Sequence, residues 1–303
     1  MNKISYSIKK RAKSFFWASV FFNRIERKSI EILYSFCRYI DDIGDNKEFS
    51  KNHSKKKLLL IIKDLNDYKS EDRIISDFLI LSKKYKINNK VPIDLINGVI
   101  KDLEKKVDIE SFSELITYSY QVAGTVGIMM CNIMNVKDRN LLKHAIELGI
   151  AMQLTNITRD IKEDLLMNRI YFPKDFRSFS FSSNNELINN KAKQKTLSKD
   201  LHKIIMYSDI MYAQALKGIR KLPFKHRFPI MLASNLYQKI GYKIKLNTEE
   251  IWKKRVYVTF AEKILITFNC FISSLLLTSI NRVKIQNTEV IEDYINGILL
   301  KIK

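Results

Sequence analysis

Two acidic stripes, set 119 residues apart inside otherwise apolar helical segments, constrain this chain more than any other feature of it. The first is YSFCRYIDDIGD, Tyr34 to Asp45, which carries Asp41, Asp42 and Asp45 within five positions. At about 100° per residue Tyr34, Arg38, Asp41 and Asp45 share one helix face, and Asp42 sits beside it. The second is QLTNITRDIKED, Gln153 to Asp164, in which Gln153, Asn156, Asp160 and Asp164 recur at i, i+3, i+7 and i+11. The other faces of that helix carry Ile150, Leu154, Ile157, Ile161 and Leu165. Carboxylates held side by side repel, and burying them costs several kcal/mol each unless a cation compensates. Either stripe alone could be a solvated patch. The pair, each with an arginine nearby (Arg38, Arg159), predicts two facing helices that hold a cation cluster between them.

The composition supports a helical frame for such a site. Only 8 Gly and 4 Pro stand in 303 residues, and 46% of the residues are apolar, so turn formers are scarce and an all-α chain is expected. No Pro-, Gly- or Ser-rich linker divides it, and residues 1–303 read as one domain. The cysteines Cys37, Cys131 and Cys270 are scattered through apolar segments, which fits buried thiols in a reducing cytoplasm. The histidines show no zinc spacing, which leaves carboxylates as the metal ligands. Mg²⁺ is the hard ion that prefers one or two carboxylates plus substrate phosphates, with Mn²⁺ as its substitute. The net charge of +21 admits nucleic acid, an anionic membrane face or a polyanionic substrate. No nucleic-acid module accompanies the lysines, and Lys, Ile and Asn are abundant throughout, so the charge selects no partner by itself.

Local signals place the helices. The basic N-terminus lacks an apolar run with a cleavage site, so no secretory signal is expected. A first helix is expected from about Ser5 to Phe22, then the first acidic helix, and a loop from Gly44 to Lys51. Further helices are expected at about 54–68, 71–86 and 92–103. Ser111 with Glu114 forms an S-x-x-E box opening the next helix, which Gly124 and Gly127 interrupt by a kink or a close approach. The second acidic helix is expected over about 138–168, with Pro173 ending the segment RIYFP and a loop over 174–184. Ser183 with Glu186 is another such box, followed by helices to about Lys221 and from about Lys225 to Lys243. Asn247 with Glu250 is expected to open the last long helix, and residues 288–303 to form a short final one. That long helix includes the apolar run Ile264 to Ile280, at the short limit for a membrane span, and Asn269 favours a buried or interfacial helix instead.

The segments KSFFWAS, LYSFCRYIDDIGD, YSYQVAGTVGIMM, GIAMQLTNITRDIKED, NRIYFP and FPIMLASNLYQKI, in this order over about residues 11–258, resemble the squalene and phytoene synthases. That family joins two allylic prenyl diphosphates head to head. The resemblance implies an all-α isoprenoid-synthase (terpenoid synthase) fold around a central cavity, and leaves 260–303 unassigned. It implies that Asp41, Asp42, Asp45, Asp160 and Asp164 bind Mg²⁺ and the diphosphates, with Asn156 among the metal ligands. It implies that Arg38, Gln153, Asn156 and Arg159 surround the diphosphate cluster, that Tyr34, Tyr118 and Tyr171 line the site, and that Ser14 and Phe15 belong to the substrate-binding stretch. Ala12 and Ser119 depart from the residues many relatives carry there, serine and cysteine, which bears on specificity at the edge of the site.

The expected reaction is condensation of two geranylgeranyl diphosphates to phytoene in carotenoid biosynthesis, with no NADPH because the last cation loses a proton. The small residues Ala123, Gly124 and Gly127 are expected to leave room for the longer tail. The alternatives are a dehydrosqualene or presqualene-type synthase acting on farnesyl diphosphate, or a non-catalytic assembly protein on the same fold. The expected partners are prenyl diphosphates and, peripherally, the inner face of the cell membrane, with no nucleic acid.

Overall fold

The computed structural model describes residues 13–46, 48–276 and 289–301, with the side chains of 13–15, 289–292, 300 and 301 outside that description. The first helix, α1 (Lys13–Ser19), is described from Lys13 onward, so its expected start near Ser5 lies outside the described residues. The first acidic stripe is on α2 (Arg24–Gly44). Its start is fixed by Asn23, whose side-chain oxygen accepts from the backbone N–H groups of Ile25 at 3.0 Å and Glu26 at 2.9 Å. Ile30, Leu33, Phe36, Ile40 and Ile43 recur at helical spacing and are buried, and Phe36 stacks on Phe78 with ring centroids 3.8 Å apart. The partners of that face are α3 (Lys51–Asp67), α4 (Arg73–Tyr85) and α5 (Lys90–Lys101).

After α5 the chain makes a two-residue strand, β1 (Val107–Asp108), paired in parallel with β2 (Arg169–Ile170). Helix α6 (Phe112–Ser119) opens where Ser111 Oγ accepts from the Glu114 N–H at 3.2 Å. Glu114 accepts in turn from the N–H of Glu110, one residue before the cap. The expected interruption is a π-helical turn, Tyr120–Gly124, leading into α7 (Thr125–Ile133). The glycines serve helix approach. A Cβ on Gly127 would stand 2.4 Å from the Ala145 carbonyl oxygen, and one on Gly149 2.4 Å from that of Ala123. The backbones of α7 and α8 (Arg139–Arg159) therefore touch.

Helix α8 is the central element, flanked by the π turn and α7 on one side and by α11 (Lys191–Lys221) and α12 (Phe224–Leu246) on the other. Thr155 Oγ1, bonded to Ser208 at 3.1 Å and Tyr212 at 3.0 Å, ties α8 to α11. The second acidic helix is not continuous over 138–168. It breaks at Asp160 (φ −102°, ψ 15°), whose carboxylate is held by two arginines, and resumes as α9 (Ile161–Leu166). The segment 174–184 is a loop with one short 3₁₀ turn, Lys174–Phe176, and leads to α10 (Asn184–Asn189), capped by Ser183 as expected.

The last long helix differs from expectation. Asn247 and Glu250 belong to a 3₁₀ turn, Thr248–Trp252, with no side-chain cap, and the helix, α13, is Phe260–Leu276. Its start is a reciprocal capping box four residues into the stretch after Arg255. Glu262 accepts from the Thr259 N–H at 2.8 Å, and Thr259 Oγ1 accepts from that of Glu262 at 3.3 Å. Among the described residues no helix is long and apolar enough to cross a membrane, and residues 277–280 of the apolar run lie outside them. The short final helix is α14 (Glu289–Lys301).

Candidate active site

Helix α2 packs on α7 rather than on α8, and the space left between α2 and α8 is a cavity of about 300 Å³. Its wall along α8 runs from Leu141 through Leu148 and Met152 to Gln153 and Asn156, roughly 22 Å at 1.5 Å per residue. Along α2 it runs from Ile30 through Leu33, Tyr34 and Cys37 to Asp41. The acidic ends of the two helices meet at one end of the cavity, and mostly aliphatic residues line the other, with His144 among them. Ala123, Ala145, Gly149, Ala215 and Ala233 keep the middle wide, joined on the polar side by Tyr237 of α12.

The polar end is a crowded set of charges. Burial pushes the Asp41 carboxyl up to about 7; Arg38 pulls it down, and the charges of Asp45, Asp102 and Asp42 add to the rise. Burial likewise holds Asp164 well above the usual carboxylate range, and the neighbouring charge of Asp160 adds to it. Asp42 is paired with Arg38 one turn earlier and is half exposed. Asp45 accepts from Arg169 Nη1 at 2.7 Å, and Arg169 also donates to the Gly44 carbonyl at 3.1 Å. Asp160 accepts from Arg159 Nε at 2.7 Å and is held again by Arg255, Nε to Oδ1, at 3.0 Å. Asn156 Nδ2 donates to Gln153 Oε1 at 3.3 Å, which leaves the Asn156 Oδ1 buried without a hydrogen-bond partner.

The structure thus brings Tyr34, Asp41, Gln153 and Asn156 onto the cavity wall, with Arg38, Asp42, Asp45, Arg159, Asp160 and Asp164 around its mouth. Tyr118 and Tyr171 are not on the cavity wall but stand behind the polar end, with Tyr171 in electrostatic reach of Arg169 and Asp164: they stack at 4.7 Å and donate to the two oxygens of Asp102, at 3.0 and 2.7 Å. Burial raises Asp102 to about 6, with Arg169 and the two tyrosines pulling it down. Ser14 and Phe15 fall on α1, and their side chains lie outside the described residues.

Four participants escaped the reading of the sequence. Asp102 follows α5 with no local pattern to mark it, and Arg169 was quoted only as part of NRIYFP. Arg255 in KKR and Tyr237 in NLYQKI stand in segments with no polar stripe to mark them. The parallel pairing of β1 with β2 sets Arg169 beside Asp45, and no spacing rule predicts that contact.

The chain is thus all-α around a largely apolar chamber, with carboxylates and arginines from two helices gathered at one end of it. The model of the squalene/phytoene synthase family matches residues 8–262, and the chain belongs to that family, whose members are prenyltransferases. It is 28% identical over 264 residues to a 15-cis-phytoene synthase of Pantoea ananas, covering 84% of this chain and 85% of that one. It is 27% identical over 266 residues to a phytoene synthase of Pseudescherichia vulneris, covering 84% of this chain and 85% of that one. A dehydrosqualene synthase crystallised with a ligand superposes with a TM-score of 0.76 at 24% identity, over 91% of this chain and 96% of that one, and shows that the isoprenoid-synthase helical fold is shared.

Proposed function

We propose that this prenyltransferase joins two molecules of geranylgeranyl diphosphate head to head, through a cyclopropylcarbinyl diphosphate, to give phytoene in carotenoid biosynthesis. The observation that carries this reading is the cavity between α2 and α8, apolar for most of its length and ended by the two acidic stripes. The names of the relatives support the product.

The donor set fits a hard divalent cation. All its atoms are oxygens, two of its carboxyls are raised by burial and mutual repulsion, and Asn156 Oδ1 lacks a partner. Among the described residues no three such side chains converge to hold an ion alone, which suits an ion shared with substrate phosphates. Asp41, Asp45, Asp160, Asp164 and Asn156 would hold it. Mg²⁺ or Mn²⁺, when bound, would supply electrophilic stabilisation of the departing diphosphate.

Arg38, Arg159 and Arg255, now paired with aspartates, are the donors a diphosphate would recruit by exchanging one oxyanion for another. As the C–O bond breaks, its electron pair leaves with the diphosphate and an allylic cation remains in the cavity. The double bond of the second substrate attacks that cation, and loss of a proton closes the cyclopropane. The second diphosphate then leaves, the skeleton rearranges, and loss of another proton gives the hydrocarbon without a reductant. Tyr34 and Tyr237 line the cavity beside the carboxylates, where aromatic faces stabilise a cation by roughly 0.5–2 kcal/mol each. The aliphatic wall excludes the water that would quench it to an alcohol.

The test is the purified protein with geranylgeranyl diphosphate and Mg²⁺, without NADPH. The expected product is a C40 hydrocarbon with the mass and ultraviolet spectrum of phytoene. Conversion of farnesyl diphosphate alone to a C30 product would replace this reading with the dehydrosqualene-type one, and a requirement for NADPH would remove the proton-loss ending.

A further inference from the structure

The end of the cavity away from the carboxylates holds one polar side chain among aliphatic ones. His144 of α8 lines it beside Ile219 and Leu222, two and a half turns of helix from Gln153 and thus roughly 13 Å from the polar end. Its position is over-determined. Nδ1 bonds Glu147 Oε2 at 2.7 Å, and Glu147 is only 2% exposed, so the ring is tied to a carboxylate that has nowhere to swing. On the other side stands Gly218 of α11, where a Cβ would come within 2.4 Å of the His144 Cβ and 2.8 Å of the ring. The ring therefore occupies a notch that only a glycine opens.

A hydrogen-bonded His–Glu pair at the end of an apolar chamber costs desolvation that a leucine would not incur. What it supplies in return is a wall that does not move. The aliphatic neighbours can change rotamer to accommodate a longer occupant, whereas a ring clamped between a buried carboxylate and a helix backbone cannot.

On the reading that the cavity takes a prenyl tail, we propose that His144, clamped by Glu147 and Gly218, is the floor of the tail chamber and sets the longest chain accepted. His144→Ala then deepens the chamber. Glu147→Ala frees the ring and relaxes the limit in the same direction, while Glu147→Gln keeps an acceptor for Nδ1 and restores the original limit. Gly218→Ala pushes the ring into the chamber and lowers the limit.

The measurement is kcat/KM for farnesyl, geranylgeranyl and geranylfarnesyl diphosphate, with products sized by mass. For His144→Ala the preference for the C25 over the C20 substrate should rise at least tenfold, and for Gly218→Ala the C15 over C20 preference should rise. Far-ultraviolet circular dichroism checks folding, and His144→Val carries the same test should the alanine variant not fold. Unchanged ratios in folded His144 variants that turn over would overturn the floor assignment while leaving the function standing. Absence of head-to-head product from all three substrates with the wild-type protein would overturn the function itself. A shift in Glu147→Gln equal to that of Glu147→Ala would show that the clamp does not set the limit.

Discussion

Asp41 and Asp160 stand on different helices and meet opposite fates in the free protein. Asp41 lines the cavity with its carboxyl raised to about 7, whereas Asp160 is fastened by Arg159 and Arg255. Both should be needed once a cation and diphosphate arrive. Asp41→Ala or Asp160→Ala should abolish turnover with the helical circular dichroism nearly intact. Retention of more than about a tenth of wild-type activity, a loss under roughly 1.4 kcal/mol, would exclude an essential ligand. Asp102 makes a different prediction, in stability. Its carboxyl rises from 3.8 to about 6 on folding because it is buried. Between those pH values the folded protein keeps a proton that the unfolded chain has lost, so stability from this residue falls as pH rises through the window and is level above it. Asp102→Asn removes that slope. The stability of wild type relative to the variant should drop by up to roughly 3 kcal/mol from pH 4 to pH 7 in urea titrations, and parallel pH profiles would refute the assignment.

At the scale of elements, contact between the α7 and α8 backbones fixes the cavity width, because every other wall of the chamber is hung from one of those helices. Gly127 and Gly149 meet carbonyl oxygens rather than flexible side chains, so a methyl group at either must move a helix. Gly127→Ala and Gly149→Ala should each cost about 1–3 kcal/mol, read as a lower urea midpoint. Unaltered midpoints would mean that the helices can part freely. Local order of this kind is only half legible in sequence. The stripe on α2 and the part of the second stripe on α8 follow from helical periodicity, and the caps at Ser111 and Ser183 from the S-x-x-E pattern. That Gly124 and Gly127 signalled an interruption was also readable, and the small residues were expected to make room for substrate. Ala123 and Gly127 do line the chamber, Gly127 also serves the close approach to the Ala145 carbonyl, and Ala145, Ala215 and Ala233 of α8, α11 and α12 line it with them. T-x-x-E at Thr259 was as plain as the other capping boxes, yet Asn247 with Glu250 has the same form twelve residues earlier, and only packing decides between them.

Across the whole molecule, what the sequence hides is whatever joins distant segments: Arg169 to Asp45, Arg255 to Asp160, and Asp102 to the tyrosine pair. Those contacts carry no period, and each closes a different side of the polar end. Another whole-molecule property is the surface. Phe260, Leu265, Phe268, Leu275 and Leu276 of α13 are each more than half exposed, while the inner face of the helix is anchored by Thr267, which accepts from Trp17 Nε1 at 2.9 Å, and by Cys270, which accepts from Asn235 at 3.0 Å. An apolar face of that size on a chain of net charge +21 predicts, on the proposed function, peripheral attachment to an anionic membrane. Charge and apolar insertion then separate experimentally. Sedimentation with anionic liposomes should be strong at 0.1 M salt and fall at 1 M, where the Debye length shrinks from about 10 Å to 3 Å. The fraction retained at high salt should disappear in a Leu265→Asp, Phe268→Asp double variant, since both side chains are more than 60% exposed and their loss leaves the fold intact. Retention unchanged by that double variant would remove α13 from the contact, and sedimentation at neither salt would remove the membrane itself.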